Sequence, residues 1–141
     1  MIVPPYLKKG DTIGIVCTAR AMMPKELSYA IELLTTWGLK VVLGQSIGIK
    51  DNQFAGNAAV RSADFEDMLQ NPLIKAIIVG RGGYGTVEII DRIDFSSLQK
   101  QPKWIVGFSD ITVLHSHLHT QYNMQSIHAS MPSVYQQTTK E

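Results

Sequence analysis

Five short apolar runs are spaced along the chain, with amphipathic or polar segments between them. The clearest are residues 11–19, DTIGIVCTA, and 74–80, IKAIIVG, both rich in Ile and Val. Continuous apolar runs of this length, bounded by turn residues, predict strands buried on both faces of a sheet. The same pattern predicts strands at 40–44, 103–108 and 124–130.

Helical spacing marks the segments between these runs. After the first strand, apolar residues recur three or four positions apart, at Leu27, Ala30, Ile31, Leu34 and Trp37. Pro24 suits the first turn of that helix, and Gly38 suits the position just beyond its end. Further helices are predicted over about 58–69, 86–92 and 110–122. Strands that alternate with helices predict one α/β domain over 1–141: an open, mostly parallel sheet flanked by helices on both faces, a Rossmann- or flavodoxin-like three-layer sandwich.

Composition narrows the possible environments and partners. Hydrophobic residues make up 45% of the chain and charged residues 18%, ordinary values for a globular protein, and the net charge is +1. So small a charge favours neither nucleic acid nor an anionic membrane surface as a partner. Cys17 is the only cysteine, which excludes an internal disulfide and favours a reducing compartment. No signal-peptide pattern or membrane-length apolar run is present, so we expect a cytoplasmic protein.

The segment GRGGYG, residues 80–85, permits three interpretations. Gly80, Gly82 and Gly85 satisfy the dinucleotide-binding pattern G-x-G-x-x-G between a predicted strand and a predicted helix. That pattern normally follows the first strand of a fold, whereas two predicted strands precede it here. A second interpretation is a tight turn that needs glycine. A third is a loop that presents backbone N–H groups to a reacting carbonyl oxygen.

The segment GFSD, residues 107–110, permits two interpretations. A serine on a sharp turn between a strand and a helix is typical of a nucleophile, and the next N–H, here that of Asp110, would stabilise an oxyanion. Ile111 stands where the usual G-x-S-x-G pattern has its second glycine. Alternatively, Ser109 or Asp110 simply caps the following helix. Spacing alone does not decide between the two.

The four histidines give little support for a metal centre or a catalytic base. His115 and His119 are four positions apart on one predicted helix, a spacing that allows two metal ligands. No third ligand completes a pattern, so we favour a structural role for this helix face and expect no metal or cofactor. His128, near the end of the last strand, is a better candidate for lining a substrate pocket.

Both loops together resemble a known family. LKKGDTIGIVCTA, FAGNAAVRSADFEDMLQNPLIKAIIVGRGGYG, PKWIVGFSDITVL and IHASMP occur in the order found in the N-terminal domain of the LD-carboxypeptidases. This serine peptidase family also includes the microcin-C immunity peptidases. The similarity spans nearly all of residues 7–132. Departures are Cys17-Thr18, where the family commonly has Pro-Ser, and Ala129-Ser130 after His128, in place of a small residue and proline.

The resemblance implies roles for individual residues. Ser109 corresponds to the catalytic nucleophile and the backbone N–H of Asp110 to one oxyanion donor. Gly82 or Gly83 would give the second donor, and Gly107 would permit the sharp turn. Candidate substrate-binding residues are Arg81, Tyr84 and His128.

The resemblance also implies a reaction and partners. The reaction would be hydrolysis of the amide between an L-centre and a terminal D-amino acid, as in the release of D-alanine from a murein tetrapeptide during cell-wall recycling. The alternative substrate is a microcin-like peptidyl-nucleotide conjugate. The glutamate and histidine that complete the triad would come from a C-terminal domain absent from this chain, so we expect residues 1–141 alone to be inactive. An exposed apolar patch and a homodimer are expected where that domain is missing.

Overall fold

A five-stranded parallel sheet forms the centre of the computed structural model, which describes residues 1–137. The strands are β1 (Thr12–Val16), β2 (Lys40–Leu43), β3 (Ile74–Val79), β4 (Trp104–Gly107) and β5 (Ile127–His128). Their spatial order is β2-β1-β3-β4-β5, and every neighbouring pair is parallel. This is the strand order of flavodoxin-like folds, so the predicted fold class is confirmed.

Helices connect the strands, as the sequence pattern predicted. They are α1 (Ser28–Thr36), α2 (Ala58–Gln70), α3 (Thr86–Ile89), α4 (Ser97–Lys100) and α5 (Thr112–Tyr122). Single 3₁₀ segments occupy Pro24–Leu27, Ile90–Arg92, Ser109–Ile111 and Pro132–Gln137. None of the helices within residues 1–137 is long and apolar enough to cross a membrane.

The observed boundaries differ from the predicted ones in three places. The helix predicted to start near residue 24 begins with a 3₁₀ turn and becomes α-helical at Ser28. The turn predicted at 94–97 leads into the short helix α4. The last strand, predicted over 124–130, is reduced to two paired residues, because β5 is an edge strand that pairs only with β4 and both its residues are exposed.

Side chains of alternating strand residues divide the core between two faces of the sheet. Ile15 of β1 packs in a cluster that includes Leu34 of α1. Ile77 of β3 packs in the opposite cluster, with Phe65 of α2 and Leu114 of α5. The sheet therefore has helices on both faces, and its central strands are buried on both sides.

The face that carries α1 also has an apolar groove. The groove runs beside α1 over the β3, β4 and β5 side of the sheet, and the residues described here leave it open. Its lining includes Leu7, Trp37, Ile78, Trp104, Val106 and Ile127. An exposed apolar patch is expected from the sequence where a further domain would dock; that this groove is that surface stays a prediction.

The carboxyl ends of β1, β3 and β4 lie side by side at one edge of the sheet. They lead into residues 17–20, 80–85 and 107–110 respectively. In parallel open sheets this edge is where ligands bind, because loops from separate parts of the chain converge there. It brings the two motifs singled out in the sequence next to each other.

Candidate active site

Ser109 lies on a strained turn that follows β4, with Phe108 between them. Its φ is +61°, in the left-handed region, and the residue is exposed. For a residue with a Cβ this conformation costs about 1–2 kcal/mol, and such strain concentrates at functional sites. A serine raised on a strained turn from strand to helix is the arrangement of a nucleophile elbow.

Gly107 supports this turn through packing. A Cβ built on Gly107 would lie 2.9 Å from both Cγ1 and Cγ2 of Ile111, which is fully buried. The sequence suggested that Gly107 supplies conformational freedom, but its φ is not in the left-handed region. The glycine is needed because the start of the next helix folds back onto the strand at this point.

The capping hypothesis for GFSD is wrong for the helix that follows. Neither the 3₁₀ turn Ser109–Ile111 nor α5 has a side-chain cap. The Asp110 carboxylate instead accepts hydrogen bonds from the backbone N–H and the hydroxyl of Thr86, at 3.0 and 2.6 Å. Asp110 therefore caps α3. It also holds residues 107–110, the serine turn, next to residues 80–85, the glycine loop.

A buried network continues from Thr86 to the end of β1. The hydroxyls of Thr86 and Thr18 are 2.7 Å apart. Arg61 Nη1 donates to the carbonyls of Thr18 and Gly85, at 2.8 and 2.9 Å. Thr18 lies in the segment 17–20 after β1, and Gly85 is the last residue of the glycine loop. Together with the bonds of Asp110 to Thr86, this network connects the three loops of the site, 17–20, 80–85 and 107–110.

Arg61, a residue of α2, makes further contacts outside that helix, and its side chain is only 1% exposed. Its Nε donates to the carbonyl of Gly56 at 3.2 Å, and Nη2 forms an ion pair with Glu88 at 2.9 Å. The guanidinium also lies 4.8 Å from the ring centroid of Phe54. A buried arginine with so many partners fixes the positions of the segments it contacts.

The glycine loop lies in contact with the serine turn. A Cβ built on Gly82 would be 3.6 Å from Cβ of Ser109, an ordinary contact distance, so the two backbones lie close together at this point. Ser109, Gly82, Gly83 and Arg81 line one cleft of about 200 Å³. The structure thus brings together four of the residues predicted for the site; their roles in catalysis remain predictions.

Neither of the other two predicted substrate-binding residues, Tyr84 and His128, lines this cleft. Tyr84 is 58% exposed. His128 lines a separate depression with His115 and His119 and does not line the cleft of Ser109. Its ring is 6.3 Å from that of Phe108, the residue before the serine. Within residues 1–137, no group of three or more His, Cys, Asp or Glu residues could hold a metal ion.

His115 holds the end of β4 in place through hydrogen bonds that its ring makes. Its Nε2 is 2.8 Å from the carbonyl oxygen of Gly107, and its Nδ1 is 2.7 Å from the hydroxyl of Ser126. A carbonyl can only accept, so Nε2 carries the proton. With both ring nitrogens engaged, His115 has a structural part in the turn and is not placed as a base for Ser109.

Cys17 lies near the site but is not an alternative nucleophile. The side chain is buried at the end of β1. Burial raises the pKa of the Cys17 thiol from its ordinary value of 9.0 to about 12, and the positive charge of Arg81 offsets only part of this rise. The reactive thiolate is therefore absent near neutral pH.

The geometry disfavours the dinucleotide interpretation of GRGGYG. A pyrophosphate would bind at the N-terminus of α3, and the Asp110 carboxylate already occupies it. The same carboxylate is engaged by two hydrogen bonds from Thr86 and so is not free to bind a ribose. The α3 helix is also only four residues long.

Three contributors to the site were missed in the sequence. Arg20 lines the cleft of Ser109, Thr18 bonds to Thr86, and His115 holds the carbonyl of Gly107. Arg20 and Thr18 are in the segment 17–20, which follows β1. The rule that ligands bind at the carboxyl ends of parallel strands could have pointed to both.

Comparisons with known proteins show similarity to one family. The family model described as LD-carboxypeptidase N-terminal domain matches residues 13–129. A probable murein peptide carboxypeptidase of Bacillus subtilis is 38% identical over 130 residues, which cover 92% of this chain and 41% of the relative. The microcin C7 self-immunity protein of Escherichia coli is 30% identical over 111 residues, 77% of this chain and 32% of that protein.

A solved structure shows the same fold. The muramoyltetrapeptide carboxypeptidase of Oxalobacter formigenes superposes with a TM-score of 0.76 at 30% identity, over 86% of this chain and 40% of that one. The chain thus spans less than half the length of the relatives it matches. It belongs to the LD-carboxypeptidase family and corresponds to the N-terminal domain of that family.

Proposed function

We propose that this chain is the nucleophile-bearing part of a serine LD-carboxypeptidase. The observation that carries the proposal is the exposed Ser109 at φ +61°, in one cleft with Gly82 and Gly83. A serine held in this strained conformation beside a glycine loop suits attack on a carbonyl. The names of the relatives from Bacillus and Oxalobacter favour a murein peptide as substrate.

The proposed reaction begins with attack of Ser109 Oγ on the carbonyl carbon before the terminal D-amino acid. The carbonyl oxygen becomes an oxyanion, which the backbone N–H of Asp110 and that of Gly82 or Gly83 stabilise. The general base takes the proton of Ser109 and passes it to the amine of the D-amino acid, which leaves. Water then hydrolyses the acyl-enzyme and restores the serine hydroxyl. Asp110 contributes its N–H here, while its carboxylate keeps the serine turn against α3.

Ser109 needs a general base, and residues 1–137 place none beside it. We propose that a glutamate and a histidine from a further domain of the protein complete the triad, in line with the family resemblance. Residues 1–141 alone would then give only the small acceleration that an oxyanion hole and substrate binding provide.

The experiment uses the full-length protein encoded by the gene. It is incubated with a murein tetrapeptide, and release of the terminal D-alanine is followed by mass spectrometry. Ser109→Ala should lower kcat by roughly 10⁴- to 10⁶-fold. Ser116→Ala, which changes an exposed serine on α5, is the matched control and should retain full activity.

Two results would contradict the proposal. Hydrolysis that survives Ser109→Ala would show that another residue is the nucleophile. A folded full-length protein that leaves the tetrapeptide intact would exclude the murein substrate. Cleavage of a microcin-like conjugate by that protein would then identify the alternative within the family, to which the 30% identity with the immunity protein points.

A further inference from the structure

Two arginine residues border the cleft that contains Ser109. Arg20 and Arg81 both line this cleft together with Gly82, Gly83 and the serine. Both also line an adjoining depression, which includes Lys50 and Glu26 but not Ser109. The two arginines therefore lie at the boundary between the nucleophile and the next depression along the surface.

The position of Arg20 is built into the fold. Its backbone pairs with Phe54 in an antiparallel bridge, and the neighbouring Ala21 N–H donates to the carbonyl of Gln53 at 2.9 Å. Its side chain lies against Gly83, where an added Cβ would come within 2.5 Å of Arg20 Cγ. Gly83 also has φ +121°, so both its conformation and the space it leaves favour glycine at this point.

The side chain of Arg81 is held by the segment that carries Arg20. Its Nη1 donates to the carbonyl of Ala21 at 3.3 Å, which holds its side chain beside the Arg20 segment. Within residues 1–137 neither guanidinium forms an ion pair, whereas the third arginine near the site, Arg61, is paired with Glu88. Two neighbouring unpaired cations at the border of a reaction cleft raise its positive potential and favour an anionic ligand.

The chemistry of the proposed substrate supplies such an anion. In a C-terminal amino acid, the carboxylate carbon lies two covalent bonds, about 2.5 Å, from the scissile nitrogen. When the scissile carbonyl is next to Ser109, the carboxylate must therefore lie in the same cleft. Guanidinium groups match carboxylates in shape and charge through paired N–H···O bonds.

We infer that Arg20 and Arg81 bind the terminal carboxylate of the substrate and restrict cleavage to a last residue with a free carboxylate. The inference rests on the proposed function and deepens it, because it names the group that the cleft recognises. A peptide that continues beyond the scissile bond, or that ends in a carboxamide, lacks this anion at the required position. Such a peptide is a poor substrate.

The test compares two substrates on the full-length protein: a murein tetrapeptide and the same peptide with a C-terminal carboxamide. Arg20→Gln and Arg81→Gln should each lower kcat/KM for the acid by about 10- to 100-fold and leave kcat/KM for the amide nearly unchanged. Arg20→Lys should recover part of the loss, because it keeps the charge. Lys50→Gln, in the adjoining depression only, is the matched control and should leave the ratio of acid to amide unchanged.

A second measurement separates the failure of this inference from the failure of the proposed function. Binding of the acid and the amide is measured by calorimetry on the Ser109→Ala protein, in which turnover is too slow to consume the peptides. Tighter binding of the acid than of the amide, lost in an added Arg20→Gln substitution, supports the inference. If the wild-type protein hydrolyses neither peptide, that result refutes only the proposed function. Equal affinity for both peptides, or an equal fall of kcat/KM for both in the arginine variants, overturns the inference.

Discussion

Replacement of Arg61 should destabilise the protein more than any change at an exposed arginine. The guanidinium donates three hydrogen bonds to the carbonyls of Gly56, Thr18 and Gly85. Arg61→Met removes these donors and leaves three carbonyl groups without them in the interior. At about 1.5 kcal/mol for each bond from a charged donor, the loss is about 4.5 kcal/mol.

The ion pair adds little to this figure. The side chain of Glu88 is 36% exposed, so solvent screens its charge and the pair contributes at most about 1 kcal/mol. We therefore expect Arg61→Met to lower the free energy of unfolding by about 4–5 kcal/mol. Equilibrium unfolding in urea, followed by circular dichroism, measures this as a midpoint lower by about 2 M or more.

Two further variants make the test decisive. Arg92→Met, at an exposed position, should change the free energy of unfolding by less than about 0.5 kcal/mol. Arg61→Lys retains one cationic donor and should lose less than Arg61→Met, and it stays measurable if Arg61→Met does not fold. A loss below about 1 kcal/mol in a folded Arg61→Met protein would refute the argument that this network holds the three loops together.

Three other predictions follow from the packing. Gly107→Ala should cost about 1–3 kcal/mol through its clash with Ile111, and most of this cost should disappear in an Ile111→Ala background. Cys17 should resist thiol reagents in the folded protein. The free energy of unfolding should also fall as pH rises above about 9, because the Cys17 thiol ionises there in the unfolded chain but stays protonated up to about pH 12 in the folded protein. The homodimer predicted from the sequence would bury the apolar groove, so Trp37→Glu should shift sedimentation of the 141-residue chain towards the monomer.

Each of these has a contrary outcome. If the losses in free energy of unfolding from Gly107→Ala and Ile111→Ala are additive, the methyl group added at 107 does not clash with the side chain of Ile111. Labelling of Cys17 in native buffer as fast as in urea would show that the thiol is accessible. Sedimentation that is unchanged by Trp37→Glu, or equally changed by Val87→Glu on α3, would place any self-association outside the groove.

Local sequence pattern determined the secondary structure and the layer architecture. Continuous Ile- and Val-rich runs require burial on both faces, and the alternation with helices makes a parallel sheet the way to satisfy this. That pattern also placed the loops 80–85 and 107–110 at one edge, because each follows the carboxyl end of a strand. The boundaries were less well determined at β5, where an edge position leaves only two paired residues.

The contacts within the site were decided by tertiary structure. The sequence could not distinguish a GFSD segment that caps the following helix from one that forms a strained turn. The two alternatives differ in whether Asp110 bonds to its own helix or to a distant residue. That partner, Thr86, is 24 residues away, and Thr18 reaches Thr86 over 68 residues. Arg20 and Arg81, 61 positions apart, line one cleft only because β1 and β3 are neighbours in the sheet. The order of the strands decides which loops lie next to each other, and that order depends on how the whole core packs. Local sequence pattern therefore determined the helices and strands, whereas long-range packing determined which residues meet in the site.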